Sequence, residues 1–317
     1  MPTTPHALLA EIIDYAGLFP PARLPMDEAF DRFLRHRSSA AGGLLGRFVC
    51  PASRLEELGR LVESTDLGRT PIRIAALGAG GDHPPAFAEA CEHDIAAMGE
   101  FAERHRPAAP VDVFEVKLPA EGDPAEAVDY VLDQLDDALP DRVDCFFESP
   151  LLGGWENRLI PDVAAIAAAG HEIDPRRRAG LKIRCGGLDA SAIPTVEAVA
   201  ASVVAARDRK LPLKATQGLH HPFRHRDEAL GATVHGFLNL AFAAILAGAH
   251  QLDEKTVREI IADDDPASFA VSTASLRWRE IETSSDSAQE ARTSGFAGFG
   301  SCSFSEPRDD LSALGLL

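Results

Sequence analysis

Basic residues are in short supply: Lys and Arg total 31 against 49 Asp and Glu, a formal charge of -18. Phosphate backbones and anionic membrane surfaces repel such a chain on average, so neither nucleic acid nor membrane is an expected partner. The acidic surplus gathers in residues 121–141 and 253–265, which read as solvated helical faces. Cysteine is sparse as well. Cys50, Cys91, Cys145, Cys185 and Cys302 are odd in number, widely spaced and without a CxxC, which argues against a disulfide framework and a structural zinc site. Long apolar runs are missing: residues 236–249, the longest, are interrupted by Asn239 and too short to cross a bilayer. Residues 1–11 lack the basic and apolar segments of a secretory signal, so the expected address is cytoplasmic. No P-loop, GxSxG or HExxH occurs, and His83 stands where the third glycine of a dinucleotide fingerprint belongs after Gly78 and Gly80.

What is present is an ordinary globular composition, 45% hydrophobic and 25% charged, with ample apolar side chains for a core. Short β-prone runs at 46–50, 72–77, 111–118, 142–148, 180–185 and 211–216 alternate with helix-like segments such as 86–104, 124–139 and 190–207. Repeated βαβ units imply a parallel sheet with right-handed crossovers. Two further candidates, 268–273 and 296–304, follow the apolar stretch 229–250 and bring the count to eight, the number that closes a barrel. The 317 residues suit such a barrel, which typically needs about 250. The expected fold is therefore a (β/α)8 TIM-like barrel in one domain over 1–317. Residues 1–45 are read as an N-terminal helical cover, 275–280 as a hairpin partner of 268–273, and 282–294 as a mobile surface loop.

Alternation locates the chemistry. A barrel strand turns every second side chain into the lumen, and barrel active sites lie at the carboxyl ends of the strands. Glu115 and Lys117 share a face, as do Asp144, Phe146 and Glu148, then Lys182 and Arg184, then Lys214 and Thr216. The other parity, Leu181, Ile183 and Cys185 with Leu211, Leu213 and Ala215, suits packing against helices, so the charges point inward. Buried charge is costly unless paired, so these four strands need either a functional reason or a self-neutralising ion cluster of Glu115 and Glu148 against Lys182 and Arg184. Strand 211–216 runs into Gln217, Gly218, Leu219, His220, His221 and Pro222, where adjacent histidines on an extended chain face opposite sides. His235 and Asn239, four apart in an apolar run, read as satisfied core residues or as contributors to substrate binding. The run from Gly298 to Ser303 is rich in the amides and hydroxyls that hold phosphate or carboxylate at barrel mouths, which puts Ser301 and Ser303 among the binding candidates. Cys302 beside them reads as a small packed thiol, with a nucleophile as the alternative.

The segments Lys182-Ile183-Arg184-Cys185-Gly186-Gly187 and Lys214-Ala215-Thr216-Gln217-Gly218 resemble the paired lysine strands of class I aldolases of the deoxyribose-phosphate type. The likeness covers about a dozen residues, and the two elements stand in reversed order. It implies a Schiff-base lysine whose pKa a neighbouring lysine depresses.

The leading expectation is thus carbon-carbon lyase or related carbonyl chemistry on a small, oxygenated, anionic substrate. Lys214 is the Schiff-base former, Lys182 and Arg184 its cationic neighbours, and Glu115 or Glu148 the proton-transfer group, with no cofactor. Arg184, Lys117, His220, His221, His235, Asn239, Ser301 and Ser303 are the binding candidates. One alternative is a metal-dependent hydrolase or isomerase holding Zn²⁺, Mn²⁺ or Mg²⁺ on Glu115, Glu148, His220 and His221. A second is a small-molecule-binding barrel without turnover. Self-association into a homo-oligomer is compatible with all three.

Overall fold

The computed structural model describes residues 7–68, 70–139, 141–172 and 178–317. Eight parallel strands close a barrel: β1 (Ile13–Tyr15), β2 (Leu45–Pro51), β3 (Ile74–Leu77), β4 (Val111–Lys117), β5 (Asp144–Glu148), β6 (Ala179–Arg184), β7 (Leu213–Thr216) and β8 (Phe296–Ser301). Each strand pairs with its neighbours in sequence, and β1 closes the ring against β8. Helices α1 (Met26–Arg37), α2 (Leu55–Ser64), α3 (Pro84–His105), α4 (Pro124–Ala138), α5 (Leu159–Glu172), α6 (Val196–Asp208), α7 (Phe237–His250), α8 (Glu254–Ala262), α9 (Ser285–Gly295) and α10 (Ser305–Ala313) complete the fold.

The helices form for local reasons that the sequence states. In α4, Asp123 caps the amide of Ala125, Pro124 pre-sets the first turn, and Ala127, Val128, Val131, Leu132 and Leu135 make one buried stripe. Helix α7 is buried on nearly every side because it packs among α6, α8, α9 and β8. The main core lies between strands and helices, while Val49, Ala75, Val113 and Phe146 form a separate apolar layer inside the barrel.

Three expectations need correction. Residues 268–273 contribute no barrel strand: Phe269–Val271, Ser275–Trp278 and Ile281–Ser284 make a separate antiparallel sheet between β7 and β8. The hairpin pairing expected of 275–280 is present, but the eighth barrel strand is Ile13–Tyr15, inside the segment read as a helical cover. Three residues are too few for a periodicity to show. Residues 1–6 of that cover lie outside the described residues, and α1 is its one α-helix among those described. Finally, most of 282–294 is helix α9, which starts on a Ser284 cap and buries Ala288 and Ala291 against its surroundings.

Candidate functional site

Register brings the charged residues to one level. Lys182 pairs with Lys214 across β6 and β7, Glu148 with Lys182 across β5 and β6, and Lys117 with Glu148 across β4 and β5. The resulting cluster is continuous. Lys182 Nζ lies 2.9 Å from Glu115 and 3.1 Å from Glu148, and Lys214 Nζ lies 2.6 Å from the other oxygen of Glu115. Lys214 also forms a short ion pair with Asp14, whose other oxygen accepts the amide of Arg47 at 2.7 Å. All five of Asp14, Glu115, Glu148, Lys182 and Lys214 are buried. Burial opposes ionisation of Glu115, yet Lys182 and Lys214 outweigh it and hold the carboxyl down at about 2. Burial likewise works against the Lys182 ammonium, and Glu115 and Glu148 more than offset it, so its pKa is raised.

Above this floor opens a cavity of about 1000 Å³ at the carboxyl ends of the strands. Glu115, Glu148, Lys182, Arg184, Lys117, His220, His221, Ser301 and Ser303 all line it. Lys214, 2% exposed, does not; its amine lies 5.9 Å from the centre of the Phe146 ring. Arg184 has a side chain 53% exposed and is steadied by a 2.7 Å hydrogen bond from Nε to Gln217. Lys117 is also half-exposed and pairs with Asp82 at 3.6 Å.

Both histidines of the pair enter the cavity wall, because Gln217 and Gly218 take positive φ angles of 60° and 71° and bend the chain out of strand geometry. Each then meets an acid on α10. His220 Nδ1 lies 2.8 Å from Glu306, and His221 Nδ1 lies 2.8 Å from Asp310, one helical turn further on. His220 Nε2 lies 3.7 Å from Cys302 Sγ. The contact with Cys302, together with Glu306 and against some burial, raises the His220 pKa to about 9. Ser303 is spent on structure, its hydroxyl accepting the amide of Glu306 at 3.3 Å, and Ser301 accepts the amide of Ser303 at 3.3 Å.

Two binding candidates lie elsewhere. His235 is buried with Nε2 2.8 Å from the carbonyl of Pro194, and burial lowers its pKa. Asn239 accepts from the amide of Arg224 and donates to the carbonyls of Ile260 and Asp263, each at 2.8 Å. Neither lines the cavity; both tie the β7–α7 connection to its neighbours. As for a metal, no group of three or more His, Cys, Asp or Glu is gathered in ligating geometry among the described residues. Glu115 and Glu148 share the Lys182 ammonium instead, and His220 and His221 turn to α10.

Asp14, Glu306 and Asp310 escape the sequence reading. Asp14 carries a signal in hindsight, an acid flanked by Ile13 and Tyr15 in strand alternation, but the strand itself is too short to recognise. Glu306 and Asp310 sit on a helix with Pro307 in its first turn, where proline is tolerated yet reads as a break. No protein family, no curated protein and no solved structure matches the chain.

Proposed function

We propose that the protein is an enzyme that binds a small oxygenated anion at the barrel mouth and moves a proton at the carbon beside its carbonyl. That step is common to carbon-carbon lyases and carbonyl isomerases. One observation carries the reading: the Lys182 ammonium borders the cavity while Glu115 and Glu148 hold it at 2.9 and 3.1 Å. A cation fixed in this way is organised in advance to receive the charge that develops on a carbonyl oxygen as an enolate forms. Glu148, bordering the same cavity, is the proton acceptor, and Arg184 offers guanidinium donors for a carboxylate or phosphate.

The same geometry weighs against the Schiff-base route. Lys214 does not line the cavity, and its amine is held between Asp14 and Glu115. Lys182 is within reach, but Glu115 and Glu148 raise its pKa and so favour the ammonium over the free amine that a Schiff base needs. Charge stabilisation by the ammonium needs no free amine.

The test is solvent deuterium exchange, followed by proton NMR, on a panel of keto acids and phosphorylated aldoses and ketoses. Wild type is expected to exchange the proton beside the carbonyl of at least one compound. Glu148→Gln should slow that exchange by about 10²–10⁴-fold and Lys182→Met by about 10²–10³-fold, in variants shown to be folded by circular dichroism. Compounds that raise Tm without any exchange would contradict the proposal and point to a binding barrel.

A further inference from the structure

Cys302 stands apart from the other cysteines. Cys50, Cys91, Cys145 and Cys185 are fully buried, and burial pushes the thiols of Cys50 and Cys91 up to about 12. Cys302, one residue past the end of β8, borders the cavity instead. Its sulfur is 3.7 Å from His220 Nε2, an ordinary separation for a hydrogen bond to sulfur, and His220 Nδ1 is anchored 2.8 Å from Glu306. The three residues come from three separate places: the end of β8, the loop after β7 and the first turn of α10. A thiol that merely filled space would need no imidazole aimed at it, nor a carboxylate fixing that imidazole from behind. With Nδ1 held by an acid, Nε2 is left to exchange a proton with the sulfur.

We propose that Cys302, His220 and Glu306 form a nucleophilic triad that attacks the acyl carbon of a small ester or thioester held in the cavity. Cys302 Sγ bonds to that carbon while the proton it shares with His220 is held on Nε2 of the imidazole. The bond from the acyl carbon to the leaving oxygen or sulfur then breaks, and the leaving group carries away the proton from His220. Water next gives a proton to His220 and attacks the thioester. The carbon-sulfur bond breaks, a carboxylic acid departs, and Cys302 recovers its proton. Glu306 is a positioning residue throughout.

The inference stands on residues other than Lys182 and Glu148, so it and the proton-transfer proposal can fail separately. Iodoacetamide alkylation of the full chain, mapped by peptide mass, is expected to mark Cys302 alone. The rate should fall roughly tenfold or more in His220→Ala and recover in part with added imidazole. Glu306→Ala should slow it and Glu306→Asp restore part of the loss, while near-UV circular dichroism stays that of wild type. With p-nitrophenyl acetate, wild type should release a burst of about one equivalent of nitrophenol and carry an acetyl group on Cys302. Cys302→Ala should do neither. Equal alkylation rates in wild type, His220→Ala and Glu306→Ala, or the absence of acetylated Cys302, would overturn the proposal.

Discussion

The floor and the rim of the cavity are built on opposite principles. The floor charges stand on hydrogen-bonded strands, buried to a few per cent exposure, and each cation touches two carboxylates. The rim pairs, His220 with Glu306 and His221 with Asp310, join a bent loop to a helix beyond the last strand and are partly open to solvent. Buried ions left without a partner cost several kcal/mol, whereas exposed pairs contribute little. The floor should therefore govern whether the barrel folds, and the rim should vary in chemistry at small cost to stability.

Breaking the floor gives the largest expected effect. Lys214→Met leaves Asp14 and Glu115 facing each other across its place, and stability should fall by about 3–5 kcal/mol, read as a lower urea midpoint at unchanged slope. Asn239→Ala should cost about 2 kcal/mol, because it strands an amide and two carbonyls in the interior. Exchange activity per folded molecule should survive that change, and its loss at intact stability would return Asn239 to the site.

A pH series separates the regions by sign. Glu115 is depressed from 4.5 to about 2, so its contribution is complete above pH 4.5 and is lost as pH falls towards 2. His220 is raised from 6.5 to about 9, so its contribution is complete below pH 6.5 and is lost as pH rises through 9. Urea midpoints should thus soften in acid through the floor and in alkali through the rim. Glu115→Gln should flatten the first limb and His220→Ala the second. The smallest effect belongs to His221→Ala, within about 1 kcal/mol by thermal melting, since its pair with Asp310 is partly solvated.

The same contrast explains what the sequence could tell. Strands β2 to β8 follow from the βα period, and the inward parity of Glu115, Glu148, Lys182 and Lys214 follows from alternation within them. Alternation assigns a face but not access to the cavity, so Lys182, which lines it, and Lys214, which does not, look alike. Nor can a period of two separate a barrel strand from a local hairpin, which is how Phe269–Val271 stood in for Ile13–Tyr15. The rim is less legible still. His220 meets Cys302 and Glu306 across 82 and 86 residues through a left-handed bend, and neither spacing nor periodicity encodes that meeting.

The central claim is that Lys182 works as a fixed ammonium. Nitrogen-15 NMR of lysine-labelled protein, with the Lys182 Nζ signal assigned by its loss in Lys182→Met, reads this charge directly. The expected result is an ammonium signal that shows no titration through about pH 7–8, because Glu115 and Glu148 keep the proton in place. A signal that titrates near pH 7–8 would contradict it and restore a free amine, and with it the Schiff-base route, to the cavity wall.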